Sequence, residues 1–167
     1  MSITPYNPDD HYTAGNTTVL ILPACANAEA PTVAEINAGY AIQCAIEELE
    51  MTVDADTTER KKICDKVATQ SVGKRTYQAG DTSLVAEDPQ QASPLMDLLI
   101  EDAIVYLLVR PGMDDSKAFQ AGQRVWVDRR QVVSVSPMTI NTDEGNAYGW
   151  TVSWAVKSRT LKGTVAA

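Results

Sequence analysis

Histidine and cysteine, which supply most protein ligands for zinc, are scarce in this chain. Its 167 residues include one histidine, His11, and three cysteines, Cys25, Cys44 and Cys64. The cysteines are 19 and 20 positions apart and form no CxxC pair, so the sequence indicates neither a disulfide framework nor a zinc site. We expect free thiols in a reducing compartment, with no bound metal and no cofactor.

Catalytic signatures are also missing. The sequence contains no GxSxG, Walker A, HExxH or GxGxxG pattern. His11 lies in a segment rich in proline and aspartate, which cannot hold a general base in a fixed hydrogen-bond geometry. The carboxylates between Glu47 and Glu59 lack the glycine and glutamate spacing of an EF-hand and are interpreted as a solvated acidic face. The sequence therefore predicts a protein that is not an enzyme.

Long apolar runs and a surplus of positive charge are lacking as well. The longest apolar run, residues 103–109, is too short to span a bilayer. The start, "MSITPYNPDDHYTAGNTT", has no basic residue and no apolar stretch of a secretion signal. The net charge of −8 provides no bulk attraction to DNA or to an anionic membrane. We expect no membrane insertion of the chain and no specific binding of nucleic acid.

The residues that are abundant favour strands, since Val, Ile and Thr are common and a single Phe stands against six Tyr and three Trp. Short β-rich or alternating segments recur along the chain: "TTVLILP", "YAIQCAI", "RTYQAGDTSLVAED", "IVYLLV", "QRVWVDRRQVVSVSP" and "AYGWTVSWAVK". About seven strands predict a mainly-β domain spanning residues 1–167, a β-sandwich or rolled barrel with one flanking α-helix.

The predicted helix is "SPLMDLLIEDA", in which Ser93 is the cap and Pro94 takes the first helical position. A stripe at helical spacing contains Leu95, Leu98 and Leu99. A second segment, "APTVAEINAG", offers Thr32 as a cap with Glu35 three residues on. It is interpreted either as one or two helical turns or as a looped entry into a strand.

Two long alternating segments define the expected core. Around residue 130 the alternation places Val125, Val127, Val133 and Val135 on one face and Arg124, Trp126, Asp128, Arg130 and Ser134 on an opposite, polar face. In "GWTVSWAVK" the two tryptophans share a strand face, and such rings usually fill a core. The predicted core residues are Leu98, Leu99, Val125, Val127, Trp150, Val152 and Trp154.

Two polar segments cannot bury their own residues. Residues 1–17 form an extended arm, interpreted either as a loose terminus or as an arm that docks on a neighbour through Tyr6 and Tyr12. Residues 54–75 are predicted as a long polar loop that becomes ordered against another copy. Its basic run is expected to complement an acidic surface of that copy. The residues predicted for self-association are Tyr6, Tyr12, Glu59, Arg60, Lys61, Lys62 and Ile63.

Four segments together resemble the major tail proteins, or tail tube subunits, of actinobacteriophages with long non-contractile tails: "APTVAEINAGYAIQCAI", "TTERKKICD", "LLIEDAIVYLLVRPG" and "YGWTVSWAVKSRTLKGTVAA". The resemblance implies a structural virion protein assembled in the host cytoplasm. Six copies would form a β-lined ring, and rings would stack around a tape measure protein into a tube that later conducts DNA. Arms and the long loop would tie each ring to the next.

An acidic channel wall would let DNA slide, because phosphates gain nothing by binding it. The expected lumen residues are Glu47, Glu48 and Glu50, on a bent strand. Two alternatives remain at this point. One is another tail or injection-machine component, such as a tail terminator or a secretion-tube protein. The other is a β-sandwich binding module that uses the tryptophan face as a ligand platform.

Overall fold

A computed structural model describes residues 13–60, 63, 67, 69–86, 90, 93–138 and 147–167. Along this part of the chain the elements are β1 (Thr17–Leu22), α1 (Val33–Asn37), β2 (Tyr40–Ala41), β3 (Thr52–Arg60), β4 (Thr69–Gln78), β5 (Thr82–Val85), α2 (Pro94–Leu98), β6 (Ile104–Pro111), β7 (Arg124–Pro137) and β8 (Gly149–Thr164). The predicted mainly-β class is confirmed. Among the described residues, no helix is both long and apolar enough to cross a membrane.

Six strands form one antiparallel sheet in the order β2-β1-β6-β7-β8-β5, and β3 pairs with β4 in a separate hairpin. The two edge strands are short, with two residues in β2 and four in β5. Short edge strands limit uncontrolled pairing with other chains. The outer side of β5 is also partly covered, because the Val85 N–H donates to the carbonyl of Ala45 at 2.8 Å.

The sheet is curved by its two longest strands. β7 and β8 pair over 14 and 16 residues, and their register shifts at three places: 125/127, 129/130 and 132/134. Each bulge bends a strand and increases its twist. The shifts also correct the predicted faces, because Val133 is exposed whereas Val132 is buried in the core.

Both faces of the sheet carry apolar clusters. The larger cluster includes Val19, Ile21, Leu107, Val132, Val152 and Trp154. The second lies on the opposite face, because its members alternate with the first along β1 and β6, and it includes Leu20, Leu22, Ile36, Leu108, Val125, Val127 and Val165. Of the predicted core residues, Leu99, Val125, Val127, Val152 and Trp154 are buried, whereas Leu98 and Trp150 are half-buried.

The helices are shorter than the sequence predicts. α2 contains five residues, and the side chain of Ser93 makes no capping hydrogen bond. Leu99 leaves helical geometry at φ −89° and ψ 60° and is 2% exposed. Burial of Leu99 therefore takes precedence over another helical turn. By contrast, Thr32 and Glu35 form a complete capping box on α1, so the helical interpretation of that segment is correct.

The predicted strand "YAIQCAI" is mostly wrong. Only Tyr40 and Ala41 pair with β1, and residues 42–51 are irregular. Ile42 turns into the core and its N–H donates to Val19 O at 2.8 Å, after which Ala45 N–H closes a turn onto Ile42 O. Glu47, Glu48 and Glu50 therefore lie on an irregular segment and not on a bent strand.

The predicted long loop is also wrong as a description of local structure. Residues 54–75 fall mostly within β3 and β4, which form an antiparallel hairpin from Thr52↔Gln78 to Arg60↔Thr69. The sequence shows no clear apolar alternation here because neither face of the hairpin is buried by this chain. Between the pairs Ala55↔Arg75 and Thr57↔Val72, β4 contains one residue more than β3 and forms a bulge. Gly73 in this bulge allows close approach of the strands, since a Cβ there would lie 3.2 Å from Asp56 O.

Candidate assembly interface

The β3–β4 hairpin presents both of its faces to solvent. The described side chains from Thr52 to Glu59 are exposed, and so are those from Gln70 to Thr76. An isolated two-stranded hairpin is at best marginally stable in water. Along its length the hairpin is therefore little covered by its own chain and has surface available to another molecule.

One face of the hairpin is more apolar than the other. Directly paired residues share a face, and the pairs Val53↔Tyr77 and Thr57↔Val72 lie on the same side. Val53 is 48% exposed and Val72 is 60% exposed. Exposed valines on a strand are a suitable contact for a second apolar surface. This side, which we call the valine face, contains Val53, Ala55, Val72 and Tyr77, together with Thr57 and Arg75.

The base of the hairpin is attached to the sheet by a buried ion pair. Arg159 on β8 holds Asp128 on β7 with two bonds, Nε to Oδ1 and Nη2 to Oδ2, both at 2.7 Å. The Arg159 side chain is 1% exposed and that of Asp128 is 0% exposed. Arg159 also donates to the carbonyls of Thr52 at 2.7 Å and Gln78 at 3.2 Å. One guanidinium thus joins the sheet to both strands of the hairpin.

A second buried arginine completes this network. Arg130 Nη2 donates to Asp128 Oδ2 at 3.0 Å and to the carbonyl of Glu50 at 3.4 Å. Its guanidinium lies 5.7 Å from the centre of the Trp154 ring. We call Asp128, Arg130 and Arg159 the anchor triad.

The anchor triad carries one positive charge in excess, which is costly in a buried site. Burial lowers the pKa of Arg130, and the charge of Asp128 opposes this effect. Backbone carbonyls at the hairpin base supply further acceptors for the two arginines. These carbonyls therefore help to accommodate the excess positive charge of the triad.

The anchor triad was missed in the sequence. Alternation around residue 130 places Asp128 and Arg130 on the predicted polar face, but both are 0% exposed. That face is correctly identified as the one opposite Val125 and Val127, yet it faces the hairpin base and not water. The run "VDRR" places charged residues between buried valines, which is a signal for buried charge. Arg159, however, lies 31 residues after Asp128, and no local sequence pattern links these two residues.

The predicted self-association residues are only partly described. Tyr6, Tyr12, Lys61 and Lys62 lie outside the described residues, and Arg60 ends β3 without a described side chain. Glu59 is exposed, and Ile63 is fully exposed. The structure thus places two of the predicted residues in solvent at the far end of the hairpin.

The three predicted lumen residues, Glu47, Glu48 and Glu50, are exposed, and the first two line one acidic groove. Glu47 and Glu48 line a groove of about 330 Å³ together with Asp81, Ser83 and Val85. Glu50 lies beside the hairpin base, where its Oε1 accepts a bond from the Thr52 hydroxyl at 3.1 Å. Within the described residues, no group of three or more His, Cys, Asp or Glu is arranged to hold a metal ion.

Two further side chains that could react or bind a ligand, those of Cys25 and Trp154, are buried in the fold, whereas Cys44 is exposed. Burial raises the pKa of the Cys25 thiol, with a further contribution from Glu35. Trp154 is buried, and its Nε1 donates to Thr82 Oγ1 at 2.9 Å. The Trp154 ring is therefore a core element and does not provide the exposed platform that a binding module would need.

The fold is shared with a known assembly component. A chain of the structure described as "Cryo-EM structure of the anti-feeding prophage (AFP) baseplate, 6-fold symmetrised" superposes with a TM-score of 0.51 at 13% sequence identity. The match covers 96% of this chain and 98% of that chain. No curated protein sequence matches the chain. A family model described as phage tail tube protein matches residues 4–167, and the chain therefore belongs to the phage tail tube protein family.

Proposed function

We propose that this protein, a structural tail component by its family, is the tail tube subunit itself. In this proposal it assembles into hexameric rings that stack around a tape measure protein, and the finished tube conducts DNA during genome ejection. The expected site is the virion tail, after assembly in the host cytoplasm. The resemblance to major tail proteins of actinobacteriophages belongs to the same proposal.

The observation that carries the proposal is the hairpin. Its two faces are exposed in the single chain, yet its base is fixed by the buried anchor triad. A segment that is held firmly at one end and uncovered along its length is suited to contact a neighbouring copy. The valine face supplies apolar area for that contact, and the basic run Arg60, Lys61 and Lys62, which begins at the last residue of β3 in the sequence, supplies positive charge.

The N-terminal arm and the sheet edges would provide further contacts. Tyr6 and Tyr12 have large aromatic rings, and few apolar residues lie near them in the sequence. The edge strands β2 and β5 are short, which limits unwanted pairing with other chains in the free subunit. Pairing of such edges across subunits would extend the six-stranded sheet around a ring.

The acidic character of the chain supports a channel that does not retain DNA. With a net charge of −8, a ring of six copies has a charge of 6 × −8, or −48. Charges matter to DNA within about 8 Å at physiological ionic strength. Glu47, Glu48 and Glu50 are exposed, and we propose that they face the channel.

Electron microscopy of the purified chain tests the proposal, with regular tubes as the expected result. Reversing the basic run, Arg60→Glu with Lys61→Glu and Lys62→Glu, should abolish tubes and leave a folded subunit. A matched control reverses three exposed basic residues elsewhere: Lys117, Arg124 and Lys162. Loss of tubes in both proteins would assign the effect to total charge and not to the hairpin end. A wild-type chain that stays monomeric at high concentration would contradict the proposal.

The structural similarity to a baseplate chain favours a second candidate, another structural component of a tail or injection machine. Such a component would form a single ring, and further rings of the same protein would not stack on it along the tail axis. The same micrographs separate the two candidates, because rings that remain single under tube-forming conditions indicate the second.

A further inference from the structure

We infer that Arg159 is a positioning residue that sets the direction in which the β3–β4 hairpin leaves the sheet. Its relevance to assembly rests on the proposed function, but the positioning itself concerns the single subunit. The donors of Arg159 point in two directions. Asp128 takes two of them on the sheet side, and the carbonyls of Thr52 and Gln78 take donors on the hairpin side.

Thr52 and Gln78 are themselves the first paired residues of the hairpin. Bonds to both therefore restrain each strand at the point where it leaves the body of the protein. A single bond to one strand would permit rotation about that contact, whereas bonds to both strands define an orientation. The Tyr77 ring, 5.4 Å from the Arg159 guanidinium, adds a contact at the same place.

The chemistry requires an arginine. Its planar guanidinium presents five donors in a fixed fork, which can bind a carboxylate along one side and carbonyls along the other. A lysine in the same position keeps the positive charge near Asp128, but its compact ammonium cannot reach both carbonyls and both carboxylate oxygens. Arg159→Lys therefore separates the charge of the residue from its geometry.

The core of the sheet is complete without the hairpin. Neither apolar cluster includes a described residue of β3 or β4. Loss of the two carbonyl bonds should thus loosen the hairpin while the six-stranded sheet remains folded. This separation distinguishes a positioning residue from one that merely supports the core.

The test is amide hydrogen exchange of the unassembled subunit, followed by mass spectrometry of β3 and β4 peptides. In Arg159→Lys we expect these peptides to exchange at least about tenfold faster than in the wild type. Peptides of β1 and β6 should be unchanged, and thermal unfolding should stay cooperative. Arg129→Lys is the matched control, since Arg129 is an exposed arginine on the neighbouring strand β7. Wild-type exchange rates in the hairpin of Arg159→Lys would overturn the inference, and so would loss of folding throughout that variant.

Tyr77→Leu provides a second variant, because Tyr77 is half-buried and lies outside both clusters. We expect a smaller acceleration in the same peptides. Combined with Arg159→Lys, it should add little, since both changes act on one contact. Fully additive effects would overturn the inference.

The assembly experiment is kept apart from the exchange experiment. If the inference and the proposed function both hold, Arg159→Lys should reduce tube yield at least about tenfold while Arg129→Lys should not. Absence of tubes in the wild type would count against the proposed function, and the exchange rates would still decide the role of Arg159. Normal tubes from a variant with a loosened hairpin would overturn the link between hairpin direction and assembly.

Discussion

At the scale of single residues, the anchor triad shows how buried charged side chains can join one element of the fold to another. Asp128, Arg130 and Arg159 are more costly to bury than apolar residues of similar volume. They tie two separate pieces of chain to β7 and β8: Glu50 and Thr52 at the start of β3, and Gln78 at the end of β4, each accept a bond through a backbone carbonyl. Since the acceptors are backbone atoms, the contact tolerates variation in the side chains of the hairpin.

Removal of the only carboxylate in the triad should be strongly destabilising. Asp128→Asn leaves two buried guanidiniums without a counter-charge, and breaking such a pair costs about 3–5 kcal/mol. Urea unfolding at neutral pH should show this loss of free energy. Asp54→Asn, at an exposed position of β3, serves as the control and should change stability by less than about 0.5 kcal/mol. Equal effects of the two substitutions would contradict the buried role of Asp128.

The capping box of α1 predicts a pH dependence. Backbone bonds from Ala26 and Thr32 hold the pKa of Glu35 below its ordinary value of 4.5. A carboxylate with a depressed pKa contributes stability that is present above the ordinary value and disappears as pH falls through the lowered one. Glu35→Gln, which has a single acceptor oxygen, should therefore unfold more easily than the wild type near pH 7, by about 1 kcal/mol. The difference should shrink below pH 4.5, and a difference that persists into strong acid would contradict this assignment.

At the scale of elements, the accuracy of sequence prediction follows burial. In β8 the alternation of Trp150, Val152 and Trp154 predicts a strand, and two of these three side chains are buried. In the hairpin, Thr, Asp, Glu and Lys occupy both faces, and nothing in the chain itself rewards alternation. A strand that does not pack on the core of its own chain gives only a weak periodic signal. Strand propensity at its Thr and Val residues was the remaining hint.

The length of the hairpin should matter for assembly and not for folding. Thr57 and Val72 face each other across the strands, so residues 58–71 can be replaced by Asn-Gly, which closes a two-residue turn. We expect the shortened subunit to keep its melting temperature within about 4 °C and to form no tubes. An alternative replacement that keeps residues 58–71 but changes Val72→Ser should weaken assembly without abolishing it. Tubes of normal yield from the shortened protein would remove the hairpin from the interface.

At the scale of the whole molecule, the described chain forms a sheet with a core on both faces and a separate projecting hairpin. Composition and the recurring short β-rich segments together predict the mainly-β class, because strand-forming residues dominate and only short segments favour helix. The order of strands was beyond reach, since β5 and β8 pair across more than 60 residues and only the finished core specifies that pairing. The bulges were equally invisible, because they depend on the fit of two strands to each other.

The N-terminal arm should contribute to assembly as a unit. Deleting residues 1–12 leaves β1 and the Asn16–Met113 backbone bond untouched, so thermal stability should stay within about 4 °C of the wild type. Sedimentation should then show fewer and shorter tubes. The full-length variant Tyr6→Ser with Tyr12→Ser should reproduce the defect if the rings are the contacting groups. Normal assembly after the deletion would leave the hairpin as the principal contact.

The three slips in register between β7 and β8 have an evolutionary consequence under the proposed function. The curvature of the sheet depends on the number of residues that each strand places between successive pairs, and not on the identity of those residues. Point substitutions would therefore leave the calibre of a tube largely intact. Gain or loss of one codon within either strand would move the following side chains to the opposite face of the sheet, so that apolar side chains would face water. Such a change would either prevent assembly of the particle or give its tube a different bore.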